Sequence, residues 1–203
     1  MNRLIFILSV TLLAALLSSC ASSPPVRYYN LQPVAASAGD APGARVVGLG
    51  PLRVPEYLRR SQMVTRGPGS EIEVHDNARW AEPVDRAIHR VVAANVDSHL
   101  NGVVVVAYPY LETVPVDFVV LGQVDRFDAD ASGEVMLQVQ WAVLNDRREG
   151  VIAPQRTRYE ARAGDPNDPN AIVRAMNEAL NRFSDDVAAQ LRSALEDWSE
   201  GER

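Results

Sequence analysis

Two segments of the chain repeat apolar residues at intervals of three and four, which is the spacing of an amphipathic α-helix. The first covers residues 83–100, with Pro83 at its start and charged residues on the opposite side. The second covers residues 169–198 and is preceded by Asp168, a residue type that caps helix starts. Each helix has a single apolar face, so we expect both to lie on a sheet.

Shorter segments alternate apolar and polar residues or are rich in β-branched residues, which favours strands. Strands are predicted at 27–31, 46–54, 62–66, 71–75, 103–106, 117–127, 134–144 and 151–163. Residues 32–44, rich in Ala, Gly and Pro, are predicted to form a loop. The order of elements predicts an α+β fold: a two-layer sandwich of a mostly antiparallel or mixed β-sheet with two main amphipathic helices on one face.

The first residues of the chain have the pattern of an export signal. Arg3 precedes a largely apolar run at residues 4–17, and small residues follow it as far as Cys20. The run has 14 residues, whereas a helix needs about 20 to cross the bilayer core. We therefore expect a cleaved signal peptide at residues 1–19 rather than a permanent transmembrane helix.

Cys20 is the predicted site of lipid attachment. Leu17-Ser18-Ser19-Cys20 resembles the bacterial lipobox, in which the cysteine receives diacylglycerol through its thiol. The alternative is an ordinary cleaved signal followed by a free thiol. Because alanine, and not aspartate, follows the cysteine, sorting to the periplasmic side of the outer membrane is favoured over the inner membrane.

The rest of the chain is expected to be a short lipidated tether, residues 20–26, and a single periplasmic domain, residues 27–200. The net charge is −6, and loss of Arg3 with the signal makes it one unit more negative. An acidic chain is a poor partner for nucleic acid. With Cys20 lipidated no thiol remains, so the domain has no disulfide, and no cofactor is predicted besides the covalent lipid.

The sequence offers no constellation for catalysis or for metal binding. It lacks Gly-x-Ser-x-Gly and a spare cysteine, so we predict that the protein is not an enzyme. The histidines lack a metal-ligand spacing and are interpreted as solvated surface residues; they are His75, His89 and His99. Three aspartates flank a predicted hairpin turn and are interpreted as turn residues; they are Asp125, Asp128 and Asp130.

A basic and aromatic loop stands out in this acidic chain and is the candidate partner contact. Its candidate contact residues, with one tryptophan that precedes the first helix, are Tyr57, Arg59, Arg60, Arg66 and Trp80. Arginine and aromatic residues are enriched at protein interfaces. The structural alternative is that Tyr57 covers the sheet edge, Trp80 packs on the helix start, and the arginines pair with nearby glutamates. Those glutamates are Glu71, Glu73 and Glu82.

The same segments resemble the PqiC-like family of auxiliary lipoproteins, which serve ABC-type transport systems built around mammalian-cell-entry (MCE) domains. The family pattern is matched by Tyr-x-Leu at 29–31, by Val-Pro-Glu-Tyr-Leu-Arg-Arg-Ser-Gln-Met-Val-Thr-Arg at 54–66, by Arg-Trp-Ala-Glu-Pro at 79–83, and by the strand at 117–127. One departure is Ser61, where proline is common in the family.

The resemblance implies a non-catalytic periplasmic subunit that works with an MCE-domain protein and an inner-membrane transport component. Such a subunit would contribute to lipid transport between membranes and to envelope integrity, and a homo-oligomeric ring is one expected assembly. Two alternatives remain open from the sequence. One is a lipid-binding carrier whose sheet and long helix enclose an acyl chain, and the other is a lipoprotein scaffold for outer-membrane assembly.

Overall fold

The computed structural model describes residues 24–34, 45–110 and 115–201, besides residue 3. The predicted signal peptide, Cys20 and most of the predicted loop at 32–44 lie outside the described residues. The described residues form eight strands, one 3₁₀ turn at Glu56–Leu58 and two α-helices. In chain order they are β1 (Arg27–Tyr29), β2 (Arg45–Arg53), β3 (Gln62–Arg66), β4 (Ile72–Trp80), α1 (Val84–His99), β5 (Val103–Ala107), β6 (Phe118–Asp130), β7 (Glu134–Asn145), β8 (Gly150–Arg162) and α2 (Pro169–Gly201).

All eight strands belong to one mixed sheet, in which β6 is the central strand. Along one side β6 pairs with β7 in antiparallel fashion, and β8 continues the sheet antiparallel to β7. Along its other side β6 pairs in parallel with β2 near its start and with β3 at its end. Strand β5 lies beside β2, and the hairpin of β3 and β4 leads to β1 at the opposite edge. The predicted α+β class with a mixed sheet is confirmed.

Both helices cover one face of this sheet, as predicted. Aromatic side chains fill the space between α2 and the long strands: Phe183 packs against Trp141 and Tyr159 with ring centroids 5.8 Å apart in each pair. Gly122 on β6 allows the β7 backbone to approach closely, because a Cβ at that glycine would lie 3.0 Å from the Trp141 Cα and 2.2 Å from the Gln140 carbonyl oxygen. A side chain at position 122 would therefore push β6 and β7 apart beneath Trp141.

Strand β4 is longer than its alternating pattern predicts. The pattern ended the strand at His75, whereas the strand continues to Trp80. Its pairing with β3 jumps from His75 opposite Met63 to Arg79 opposite Gln62, so three residues of β4 form a bulge. A bulge breaks the two-residue alternation, which explains why the sequence pattern stopped early.

A short segment after β1 is fastened across both helices. Leu31 is fully buried, and its carbonyl accepts a hydrogen bond from Arg90 of α1 at 2.9 Å. The backbone N–H of Gln32 donates to the Asn177 side chain of α2, and that of Val34 donates to the Asn95 side chain of α1. The chain therefore leaves the sheet edge along a fixed path over the helical layer.

The interpretation of the histidines as solvated surface residues is wrong for His89. This residue is only 5% exposed, because α1 turns it toward β2, where its Nε2 accepts a 2.8 Å hydrogen bond from the Leu52 N–H. The Tyr108 ring packs edge-on against the imidazole, and Asp85 lies one helical turn earlier. His89 Nδ1 has no hydrogen-bond partner among the described residues.

We expect His89 to make the protein less stable in mild acid. Burial lowers the pKa of His89 below its ordinary value of 6.5, although the Asp85 charge opposes this shift. The unfolded chain therefore binds more protons than the folded chain, and the free energy of unfolding falls as the pH drops below 6.5. Urea unfolding across this pH range should show a smaller loss for His89→Gln, which keeps an acceptor for Leu52 but does not titrate. Equal losses in both proteins would refute this role of His89.

Candidate functional site

The two most distinctive sequence blocks, residues 54–66 and 79–83, meet at one corner of the sheet. The Trp80 N–H donates a 2.7 Å hydrogen bond to the Ser61 carbonyl, and Gln62 pairs with Arg79. Between the two blocks and the start of α1 lies an open groove of about 440 Å³. We call it the β3–α1 groove; its lining residues include Arg59, Arg60, Ser61, Trp80, Glu82 and Arg86.

Three guanidinium groups and two carboxylates, those of Glu82 and Asp85, line the β3–α1 groove. Arg59 is 55% exposed and pairs with Glu56 at 3.3 Å, while Arg60 and Arg86 are exposed with no ion pair to any residue that the structure describes. On the acidic side Glu82 is held by Arg90 of α1. With three basic and two acidic lining side chains, the groove has a small excess of positive charge in a protein whose net charge is −6.

Trp80 supplies the floor of the groove and not an exposed contact. It is 8% exposed, and its backbone pairs with Tyr29 of β1 in the sheet. The next residue, Ala81, donates its N–H to the Tyr29 carbonyl at 2.8 Å. Strand β1 thus holds the Trp80 backbone in the sheet, so the groove is a preformed feature near the sheet edge.

Two of the predicted contact residues, Tyr57 and Arg66, lie away from the groove in a cluster around Asp128. The Asp128 side chain is fully buried and accepts hydrogen bonds from Tyr57 Oη at 2.6 Å and from Arg66 Nε at 2.9 Å. Arg126, two residues earlier on β6, donates to the same carboxylate at 2.8 Å. We call these four residues the Asp128 cluster.

The Asp128 cluster joins three chain segments through one carboxylate. Arg66 also stacks over the Tyr57 ring, with its guanidinium carbon 5.6 Å from the ring centroid. Burial, followed by the hydrogen bond to Asp128, raises the pKa of Tyr57 to about 12. Tyr57 therefore stays a neutral donor at physiological pH, and the cluster fastens the loop before β3 to the end of β6.

The structure corrects the ion pairs that the sequence suggested for the arginines of the basic loop. The structural alternative paired them with Glu71, Glu73 or Glu82, whereas Arg66 pairs with Asp128 because the end of β3 lies parallel to the end of β6. The interpretation of Asp125 and Asp128 as turn residues is likewise wrong, since both lie inside β6. Asp128 has its side chain buried, and Asp125 accepts a hydrogen bond from Gln140 of β7. The signal in the sequence was the Arg-x-Asp spacing of residues 126 and 128, which puts both side chains on one face of a strand.

The remaining histidines and aspartates take part in ordinary polar contacts. His75 hydrogen-bonds Thr65 across the β3–β4 hairpin at 2.8 Å, and His99 lies 3.0 Å from Asp185 of α2. Asp130 accepts hydrogen bonds from the N–H and hydroxyl of Ser132 in the hairpin turn. Within the described residues no three His, Cys, Asp or Glu side chains group together as metal ligands.

In a comparison with known proteins, both sequence blocks that line the groove fall within the match to one family. The family model described as ABC-type transport auxiliary lipoprotein component matches residues 29–188. The chain belongs to this family. The match includes the β3–α1 groove and the Asp128 cluster, so these features lie within the family's shared region. Across the described residues, no helix of sufficient length and apolarity to cross a bilayer is found.

The chain also resembles two curated proteins over most of its length. It is 26% identical over 153 residues to the intermembrane transport lipoprotein PqiC of Escherichia coli K12, covering 72% of this chain and 78% of that protein. The same values hold for PqiC of Shigella flexneri. The resemblance to PqiC-like auxiliary lipoproteins is therefore confirmed.

Solved structures share the fold of this auxiliary lipoprotein. A crystal structure of an uncharacterised protein superposes with a TM-score of 0.69 at 18% identity, covering 83% of this chain and 99% of that one. A protein from Xanthomonas campestris superposes with a TM-score of 0.67 at 16% identity, covering 86% and 99%. The mixed sheet with helices on one face is thus an architecture that these proteins share.

Proposed function

We propose that this auxiliary lipoprotein is a non-catalytic subunit of an MCE/ABC-type intermembrane lipid transport system. In this proposal diacylglycerol on Cys20 anchors the domain to the periplasmic side of the outer membrane. The domain binds an MCE-domain protein, which connects it to an inner-membrane component, and so contributes to envelope integrity. The name of its PqiC relatives, intermembrane transport lipoproteins, supports the transport role.

The observation that carries the proposal is the β3–α1 groove. Its walls come from the two sequence blocks that carry the resemblance to the family and from the first turn of α1. Glu82 is neutralised by Arg90, so the exposed Arg60 and Arg86 outweigh the remaining Asp85 carboxylate beside the Trp80 floor. This excess suits an acidic segment of a partner protein, because charge complementarity speeds and orients docking. The space between the sheet and α2 is instead filled by side chains such as Phe183, so the carrier alternative gains no support.

Reversing the charge of the groove should weaken partner capture. The double variant Arg60→Glu and Arg86→Glu is expected to reduce co-purification of the MCE-domain protein about tenfold or more after mild cross-linking in cells. Both side chains are exposed, so the thermal unfolding temperature should stay close to that of the unchanged protein.

The matched control is Arg158→Glu, an exposed arginine on β8, far along the sheet from the groove. This variant changes one charge in the same direction but leaves the groove intact, so capture should persist. Full capture by the double variant, or no MCE-domain protein recovered with the unchanged chain, would refute the docking proposal.

The anchor is testable separately. Cys20→Ala should abolish incorporation of labelled palmitate and move the protein from the membrane fraction to the periplasmic fraction, because the acyl chains provide the attachment. Palmitate labelling and membrane fractionation measure the two effects. A Cys20→Ala protein that still takes up palmitate would show that the lipid is attached elsewhere.

A further inference from the structure

The segment that follows the expected anchor exposes an unusual share of apolar surface. In the part of the chain that the structure describes, five large apolar side chains are exposed, and three of them lie within residues 24–34. They are Val26, 42% exposed, Tyr28, 67%, and Val34, 69%. Single exposed apolar residues are common on protein surfaces, but such a concentration in eleven residues indicates a contact surface.

These side chains are held in place by the fold. Tyr28 lies in β1, where it pairs with Arg79 of β4, and the next residue, Tyr29, is buried. Leu31 is fully buried, and the Val34 N–H is fixed by the Asn95 side chain at 2.9 Å. The backbone that carries Tyr28 and Val34 is therefore fixed, and Val26 directly precedes β1. We call these three residues the anchor-proximal surface.

The length of the tether limits how far this surface can stand from a bilayer. Pro24 is four residues after Cys20, so a fully extended chain places it at most about 14 Å from the lipidated residue. Tyr28 follows four residues later in a strand that is already part of the sheet. The anchor-proximal surface is therefore the described part of the domain closest along the chain to the membrane.

The polar residues around Tyr28 suit the headgroup region of a neutral bilayer. A groove of about 370 Å³ beside Tyr28 is lined by Arg174 and by the side-chain amides of Asn170 and Asn177. Arg174 lies 3.8 Å from Asp168, so its charge is partly balanced. Tyrosine is enriched at the membrane interface, where its ring lies among the headgroups and its hydroxyl meets water.

We propose that the anchor-proximal surface rests in the headgroup region of the bilayer that holds the lipid anchor. This inference depends on the lipid attachment at Cys20 proposed above. The contact gives the domain a fixed orientation, which acyl chains on one end of the chain do not give by themselves. Because β1 pairs with β4 at Trp80, the same strand connects the membrane contact to the floor of the β3–α1 groove.

Site-directed fluorescence on the full lipidated chain tests this contact. The protein is reconstituted in phosphatidylcholine vesicles, with a cysteine introduced by Tyr28→Cys or Val34→Cys and labelled with an environment-sensitive dye. The control is Tyr108→Cys, an exposed aromatic position next to β5 at the opposite edge of the sheet. Labels at 28 and 34 should be quenched by brominated lipid and be roughly fivefold less accessible to aqueous iodide than the label at 108.

The possible results distinguish a failure of the proposed membrane contact from a failure of the proposed lipid anchor. Protein retained on the vesicles with iodide accessibility at 28 or 34 equal to that at 108 would overturn the contact and leave the anchor intact. Protein that does not stay on the vesicles would overturn both. Thermal unfolding of the variants labelled at 28 and 34 should match that of the unlabelled protein, since both positions are exposed. The label at 108 removes the contact of Tyr108 with His89, so this control has to remain folded at the temperature of the assay.

Discussion

Asp128→Ala should lower the free energy of unfolding by about 2 to 3 kcal/mol. The substitution removes a fully buried carboxylate and leaves the Arg66 and Arg126 guanidinium groups without their shared acceptor. Removing one partner of a buried pair usually costs about 3 to 5 kcal/mol. The lower figure applies because the two arginines are 32% and 22% exposed, so water can partly replace the lost contacts. Urea unfolding followed by circular dichroism measures the change.

A double-mutant cycle makes this prediction specific to the Asp128 cluster. If the carboxylate and Arg66 stabilise each other, Arg66→Ala should cost much less in the Asp128→Ala background than in the unchanged protein. The Asp128→Asn variant keeps an acceptor for Tyr57 and should lose less stability than Asp128→Ala. Additive losses in the cycle, or a loss below about 0.5 kcal/mol for Asp128→Ala, would contradict the role assigned to the cluster.

Phe183→Ala should have the largest effect on stability, a loss of about 3 to 5 kcal/mol. Phe183 is 1% exposed and contacts Trp141 of β7 and Tyr159 of β8, so its removal opens a cavity between α2 and the sheet. Trp141 has little freedom to fill the cavity, because its indole Nε1 donates to Thr157 Oγ1 at 3.2 Å. Chemical denaturation gives the free energy.

The control for Phe183→Ala is Gln190→Ala, an exposed position on the same helix. Its change should stay within about 0.5 kcal/mol, because alanine is a good helix former and no packing is lost. A loss in the free energy of unfolding of less than about 1.5 kcal/mol for Phe183→Ala would lie below the usual range of core truncations. It would mean that α2 packs more loosely than the aromatic contacts indicate.

Local periodicity was sufficient to predict the elements of this fold. The helical repeat gave both helices to within a residue or two at their starts, and alternation located β6, β7 and β8 with their antiparallel order. The parallel pairings of β6 with β2 and β3 were not predictable in detail. They join residues about 60 to 70 positions apart, and no turn sequence specifies such a register.

The sequence predicted most of the residues of the candidate site but not how they are arranged in space. The sequence singled out Arg59, Arg60 and Trp80, and the fold brings them to one groove because β4 extends through its bulge as far as Trp80. Arg86 was missed, since it looked like one of the solvated charges of α1. The Arg-x-Asp spacing pointed to the contact of Asp128 with Arg126, but no local pattern revealed its contacts with Tyr57 and Arg66, which come from other segments of the chain.

Site-specific photo-cross-linking in cells tests the central claim, that the β3–α1 groove docks a protein of the transport system. A photoreactive phenylalanine at position 60 or 86 should form a cross-linked product with an MCE-domain protein, identified by mass spectrometry. The same residue at position 158 on β8 should not. Cross-links to that partner from position 158 but not from 60 or 86 would contradict the account, as would no cross-link to any transport component from the groove positions.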